Sequence, residues 1–281
     1  NVHHLFWHYV VPDKYYILCK FKKVHGYSLN LDSPQTIDEK LQWIKLYDRK
    51  PIYHTMIDKI ASKQFVAERL GTNEYTIPLL GRWTSFDDID FEKLPNQFVL
   101  KCNHDSYSWI IVRDKSELDM DAARIKLTTA LKTNYYHTEN KQWGYDSILP
   151  QIMAEYYLDK EKLEYQVFCN NGNPIFFLVR SDLGDAKEGF NVCYDLDWNK
   201  VDYRRDKYPS VKLSKPLNFD KMLEIARVLS MDTLHLRVDF YEMEGKLYIG
   251  ELTFYSNGGD FHNFSKEGKK KLSETLILPT K

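Results

Sequence analysis

The chain has 281 residues, 39 Lys+Arg against 40 Asp+Glu for a formal net charge of -1, and 15% aromatic residues. That length suits one large or two modest domains with a buried core, and the charge balance excludes a general nucleic-acid binder, which needs a basic face. Charged residues at 28% and apolar residues at 43% exclude an intrinsically disordered chain.

Residues 1–55 read as a helical N-terminal segment, in which the apolar and aromatic stretch 5–19, broken by Pro12, Asp13 and Lys14, predicts a buried helix. Ser33-Pro34 supplies a cap and a first-turn proline. The helix expected after it, Thr36 to Leu46, sets Ile37, Leu41, Ile44 and Lys45 along one stripe. A second helix is predicted from Met56 to Leu70, stopped by Gly71. On it Asp58, Lys59 and Lys63 have the ordinary explanation of a solvated face.

Short strands follow at Ile77–Trp83, Gln97–Cys102 and Trp109–Val112, then a helix at Asp121–Thr133, giving a small mixed lobe over 56–150. From 151 to 281 a larger antiparallel lobe is expected. Its strands are Ile152–Tyr157, Tyr165–Cys169 and Pro174–Val179, the last two joined by the turn Asn170-Asn171-Gly172-Asn173. Asp220–Leu229 is an amphipathic helix, and Leu234–Tyr241 with Leu247–Phe254 form a hairpin around Glu244-Gly245. The fold class is α+β. Cys19, Cys102, Cys169 and Cys193 lie far apart with no CxxC pair, so neither a zinc ribbon nor a disulfide framework is expected. The apolar runs are strand-length, short of the ~20 residues that span a bilayer, no leader peptide is legible, and a cytoplasmic setting is the expectation.

Arg237, Asp239 and Tyr241 alternate and share one strand face. If the hairpin loop is the three residues Glu244 to Lys246, Asp239 lies opposite Glu251 and Arg237 opposite Thr253; a two-residue loop puts the carboxylates on opposite faces. Two facing carboxylates destabilise a sheet, and a hard divalent cation between them would reverse that. Two solvated charges on an exposed sheet are the alternative. Lys101 closes the run Phe98-Val99-Leu100 before a polar loop, where a lysine can reach a phosphate, although most lysines so placed are merely exposed; His104 in that loop is a candidate base without a supporting Ser-His-Asp spacing.

Several segments, taken together and in order, resemble the TupA-like ATP-grasp family. They are Ser33-Pro34-Gln35-Thr36 through Glu39-Lys40-Leu41-Gln42-Trp43, Tyr47-Asp48-Arg49-Lys50-Pro51, Asp58-Lys59, Ile77-Pro78-Leu79-Leu80-Gly81, and Leu94-Pro95-Asn96-Gln97 continuing to His104. Arg237-Val238-Asp239 and Gly250-Glu251-Leu252-Thr253-Phe254 complete the set. The resemblance implies an ATP-grasp fold, two α+β lobes clasping ATP and Mg2+. It implies Lys59 and Lys101 on the α- and β-phosphates, Ser106 in the loop over them, and the hinge Glu155, Tyr156, Tyr157, Leu158 on adenine. Glu164 would take the ribose, Asp239 and Glu251 the magnesium, and Arg237 the transferring phosphoryl group. Two departures stand out. The family's glycine-rich loop after the lysine reads here His104-Asp105-Ser106-Tyr107-Ser108, and the Asn common two residues after the metal-binding Glu is Thr253, with Asn257 nearby as a substitute ligand.

The activity so implied joins a carboxylate to an amine through an acyl phosphate, with an amino acid and a uronic acid of a bacterial surface polysaccharide as partners. ATP-dependent phosphorylation of a sugar hydroxyl would use the same residues. A glycan-binding or glycosyl-transferring protein without ATP chemistry is the third reading, for which the loop aromatics Tyr107, Trp109, Tyr255 and Phe261 would form a sugar-facing wall. A lipid- or nucleotide-linked acceptor, with the basic residues Lys266, Lys269, Lys270 and Lys271, points to peripheral contact at the inner membrane face.

Overall fold

The computed structural model describes residues 9–158, 163–181, 189–205 and 211–279. Four helices open it: α1 (Asp13–His25), α2 (Ile37–Tyr47), α3 (Ile52–Ile57) and α4 (Ala61–Leu70). Strands β1 (Leu79–Trp83), β2 (Phe98–Cys102) and β3 (Ile110–Val112) follow, then α5 (Met120–Leu131), α6 (Tyr135–Thr138) and β4 (Ile152–Tyr156). The second half holds β5 (Leu163–Asn170), β6 (Asn173–Ser181), β7 (Asn191–Tyr194), β8 (Lys200–Val201), α7 (Phe219–Ser230), β9 (His235–Met243), β10 (Lys246–Thr253) and α8 (Lys266–Thr275).

Local chemistry explains the boundaries. Part of the N-terminal stretch expected to be helical, residues 1–8, lies outside the described residues; from Pro12 the chain enters α1, which buries Tyr16, Ile17 and Phe21 and closes on left-handed Gly26. The cap of α2 is Thr36 rather than Ser33: its hydroxyl accepts from the Glu39 N–H at 3.2 Å while Glu39 accepts from the Thr36 N–H at 3.1 Å, a reciprocal capping box. The periodicity from Met56 to Leu70 is interrupted. Asp58 is extended (φ -64°, ψ 115°), and its carboxylate accepts the N–H groups of Ile60 at 2.8 Å and Ala61 at 3.3 Å. A short acidic side chain bonding the backbone ahead of it competes with the helix ladder, so two helices replace the one expected.

Two antiparallel sheets result, a four-stranded one in the order β1-β4-β2-β3 and a six-stranded one in the order β10-β9-β5-β6-β7-β8. Each has its own core. The smaller gathers Phe98, Leu100, Leu127, Ile152 and Ala154. The larger packs Val167, Phe176 and Phe240 with Met222, Ile225 and Leu229 of α7, and takes in Ile17, Leu41, Ile44, Tyr53 and Phe65 from α1 to α4. Burial of each such side chain is worth ~1.5–3 kcal/mol before entropy, so the N-terminal helices are integral to the six-stranded lobe, and the core divides elsewhere than at positions 55 and 150. All four cysteines are free thiols. Among the described residues no helix is long and apolar enough to cross a membrane.

Candidate functional site

The break after α3 puts Lys59 where the two lobes meet. Its backbone N–H donates to Asn103 O at 3.1 Å, its ammonium donates to the Asp105 carbonyl, and it lies 3.2 Å from Glu251 Oε1. Burial opposes the charge, but the Glu251 and Asp105 carboxylates outweigh it and hold the Lys59 pKa above its ordinary value. Lys59 is therefore an interior cation joining the loop after β2 to β10, not part of a solvated helix face.

On the four-stranded sheet Val99 pairs with Glu155 and Lys101 with Met153, so Lys101 and Glu155 are diagonal neighbours on one face. One Glu155 oxygen meets the Lys101 ammonium and the other lies 3.1 Å from Lys63 Nζ. Although burial favours the neutral acid, the two ammoniums bring the Glu155 pKa down to about 2. Lys63, read in the sequence as ordinary surface, is thus a second lysine beside Lys101; a contact to a residue 92 positions away leaves no local signal. The Glu155 side chain organises these two lysines, and the Tyr156 N–H is already donated to Pro78 O at 3.0 Å. Tyr156 is half-exposed, while Tyr157 and Leu158 are buried.

The hairpin of β9 and β10 reaches the anticipated register by another route. Its loop is the two residues Glu244 (φ 49°) and Gly245 (φ 78°), with Met243 paired to Lys246. Such a loop alone would set Asp239 against Gly250. A bulge between Ile249 and Glu251 absorbs one residue and restores Asp239 opposite Glu251 and Arg237 opposite Thr253. Gly250 is required there, because a Cβ would lie 2.5 Å from the Tyr241 ring.

Arg237 grips Asp239 with both arms, Nε to Oδ1 at 2.7 Å and Nη2 to Oδ2 at 2.6 Å. It also donates to Thr253 Oγ1 at 3.1 Å and to Ser256 Oγ at 3.3 Å. Burial, with Glu164 and Glu251 facing it, raises the Asp239 pKa in spite of Arg237. Glu251 is lowered, since Lys59 and Arg237 overcome its burial. Tyr241 donates to Glu164 Oε1 at 3.0 Å, and Gln166 Nε2 to Glu164 Oε2 at 3.2 Å. Two opposed carboxylates, one reluctant to ionise, fit the hard oxygen-donor set of a divalent cation. Thr253, expected as a ligand, is engaged by Arg237. Asn257 is exposed, with φ 51°, in the turn beyond β10.

In the loop after β2, His104 is directed away from this cluster. Its buried ring places Nε2 3.2 Å from the carbonyls of Ala130 and Thr133 at the end of α5, which removes it as a base. Asp105 turns its carboxylate into the loop: Ser108 Oγ donates to Asp105 Oδ1 at 2.5 Å and accepts from the Cys102 N–H at 2.7 Å. The acid that replaces a glycine thus fixes the loop by side-chain bonds. Ser106 is exposed and within hydrogen-bonding reach of Tyr135 and Tyr145. Tyr145, which the sequence does not single out, is partly buried beside Glu251, and desolvation with that charge raises its pKa.

Helix α2 fastens the turn that follows β10. Lys45, 1% exposed, donates to Gln42 Oε1 at 2.9 Å and to the Gly258 carbonyl, while Gln42 Nε2 donates to Gly259 O at 2.8 Å. The turn supports Ser256, a partner of Arg237. Of the four loop aromatics, Tyr107 and Trp109 are 67% and 50% exposed, but Tyr255 and Phe261 are at 2% and 0% and belong to the core. A sugar-facing wall of all four is excluded.

A family model described as TupA-like ATPgrasp matches residues 39–277. No curated protein matches the sequence. Among solved structures, the L-amino acid ligase from Bacillus licheniformis superposes with a TM-score of 0.54 at 12% identity, covering 94% of this chain and 62% of that one. The D-alanine–D-alanine ligase from Bacillus anthracis complexed with ATP gives a TM-score of 0.47 at 16% identity, covering 79% of this chain and 65% of that one. This chain therefore spans less than two thirds of the length of either ligase. At 12% identity the L-amino acid ligase speaks for the fold alone, and the fold is ATP-grasp: two antiparallel sheets, with Lys101 and Glu155 on the smaller and Asp239 and Glu251 on the larger.

Proposed function

This chain belongs to the TupA-like ATP-grasp family, and on that premise we propose that it is an ADP-forming carboxylate–amine ligase. The observation that carries the reading is the convergence at the lobe junction of Lys63 and Lys101 on Glu155, and of Lys59 and Arg237 on Glu251 and Asp239. A triphosphate needs several fixed cations and a place for a divalent ion, and this junction has both.

Lys101, Lys63 and Lys59 hold the phosphates, with Ser106 in the loop above. Asp239 and Glu251 would hold Mg2+, which neutralises phosphate charge when bound. The hinge Glu155–Leu158 borders the adenine side, and Glu164 faces the ribose. Arg237, fixed by Asp239, Thr253 and Ser256, steadies the phosphoryl group in flight. A carboxylate oxygen attacks the γ-phosphorus, the bond to the ADP oxygen breaks, and an acyl phosphate forms. An amine nitrogen then attacks the acyl carbon, phosphate leaves with its bridging oxygen, and the amine loses a proton. The acid we infer is a uronic acid of a bacterial surface polysaccharide and the amine an amino acid, with the enzyme on the cytoplasmic side of the envelope.

The test is release of ADP and phosphate from Mg-ATP with D-glucuronate and a panel of amino acids, alone and together. Release that needs both, with an amide product, supports the reading. A stable phosphorylated sugar, or turnover indifferent to amines, overturns it.

A further inference from the structure

A groove of about 930 Å³ opens away from the paired carboxylates and shares only Lys63 with the site described above. Both sheets have their outermost strand at it. β1 ends the four-stranded sheet and contributes Leu79 and Arg82; β10 ends the six-stranded sheet and contributes Lys246, Leu247 and Tyr248. The β10 edge is only partly used. Met243 pairs with Lys246 around the two-residue turn, so alternation makes Leu247 and Ile249 the residues whose backbone groups point away from β9. The Ile249 N–H donates to Tyr75 O at 2.8 Å, and Thr76 bridges Ile249 in the parallel sense. Ahead of that bridge the chain is in a turn, with the Thr76 N–H donating to Asn73 O at 3.1 Å. Among the described residues the Leu247 N–H and C=O have no partner. A strand edge left open in this way is a template for another extended chain.

The walls select the charge of that chain. Lys63 and Lys221 line the groove but are engaged, by Glu155 at 3.1 Å and by Glu224 at 2.6 Å. Glu74, the one carboxylate among the described lining residues, accepts from the Tyr75 hydroxyl. Arg82 and Lys246 are exposed, and among the described residues their side chains have no hydrogen bond or ion pair. They stand one on each sheet, so an anionic ligand that meets both spans the junction of the lobes. The groove also carries the apolar side chains of Ile77, Leu79 and Leu247. An inorganic polyanion uses neither those nor an open strand edge, whereas a peptide uses both.

We propose that this groove docks an extended acidic peptide segment of a partner protein, which pairs with the Leu247 backbone and sets carboxylates on Arg82 and Lys246. The proposal goes beyond the ligase reading and stands independently of it.

The test titrates the full chain into fluorescently labelled peptides at low ionic strength and reads anisotropy. The probes are a short peptide alternating valine and glutamate, its glutamine counterpart and its fully N-methylated form, with inorganic tripolyphosphate measured separately by calorimetry. We expect the glutamate peptide to bind, the glutamine peptide to bind about tenfold or more weakly, and added salt to weaken the glutamate peptide. N-methylation, which deletes the backbone donors, is expected to cost about threefold or more. Arg82→Ala and Lys246→Ala should each weaken the glutamate peptide about threefold or more, and Lys246→Glu about tenfold or more. The N-methylated peptide tests the wild-type chain, so the strand-edge contact is judged even where a variant fails to fold. No binding of the glutamate peptide up to about 1 mM, equal binding of its glutamine or N-methylated form, or indifference to the folded variants overturns the proposal. Tripolyphosphate binding that depends on Arg82, without peptide binding, makes the groove an inorganic polyanion site and overturns it as well.

Discussion

Replacing Glu155 by Gln removes one negative charge from between two ammoniums and preserves the shape of the side chain. The magnitude follows from its surroundings. A carboxyl pKa held at about 2 instead of 4.5 corresponds to about 3 kcal/mol of stability at neutral pH. Breaking a buried pair by deleting one partner costs roughly 3–5 kcal/mol, which agrees. For a chain of this size that is a fall in Tm of roughly 5–10 °C. The sign is fixed by the depressed pKa: the contribution is complete above about pH 4.5 and disappears as the pH falls toward 2, so wild type and variant converge in acid. Nucleotide adds a second readout. If Lys63 and Lys101 serve phosphates, ATP supplies the charge that Glu155 no longer does, and Mg-ATP should raise the Tm of Glu155→Gln by more than that of wild type. Thermal unfolding at pH 7 with and without Mg-ATP measures both. A variant as stable as wild type, or one that gains no more from nucleotide, would refute the assignment of these lysines.

Other substitutions probe the remaining parts. Glu251→Gln should lower the rate of ADP release about 10²-fold or more and raise the Mg2+ concentration needed for half-maximal turnover; an unchanged magnesium titration contradicts the metal role. Ser108→Ala strips a partner from the Cys102 N–H and the Asp105 carboxylate, costing about 1–3 kcal/mol in urea unfolding and raising KM for ATP as the loop loosens. Lys45→Met tests the clamp on the turn after β10. Burial lowers the Lys45 pKa to about 7 from 10.5, so between those values the unfolded chain holds the extra proton and folded stability rises with pH, by at most ~1.4 kcal/mol per pH unit. The stability difference between wild type and Lys45→Met should carry that slope from pH 7 to 9.5; a flat difference rules out a buried, titrating lysine.

How far the sequence could be read depended on whether a feature is local. The alternation of Arg237, Asp239 and Tyr241 is a property of one strand, and it placed all three on the face they occupy. The facing of Asp239 and Glu251 was anticipated from a three-residue loop, yet arises from a two-residue turn corrected by the bulge at Gly250. The outcome matched because an extra residue shifts the register equally wherever it is inserted. The helix expected over Met56–Leu70 failed because apolar spacing continues across Asp58 while its side chain takes the backbone donors that the helix would use. Lys63 and Tyr145 gain their roles only through tertiary contacts, and nothing in their neighbours' identities signals them, whereas Lys45 stands on the apolar stripe that buries it. His104 shows the converse: the quoted motif includes it, but its ring serves the end of α5. Helix α8 was read only as a basic tail, although Ser265 caps it by accepting from the Gly268 N–H at 3.1 Å.

The central claim is that a carboxylate, activated by the γ-phosphoryl group of ATP, passes through an acyl phosphate. Isotope transfer tests it directly. With D-glucuronate carrying 18O in both carboxylate oxygens, unlabelled Mg-ATP and the accepted amine, released phosphate should contain one 18O atom per turnover. Phosphate without label, or label retained in a stable phosphorylated sugar, would contradict the account.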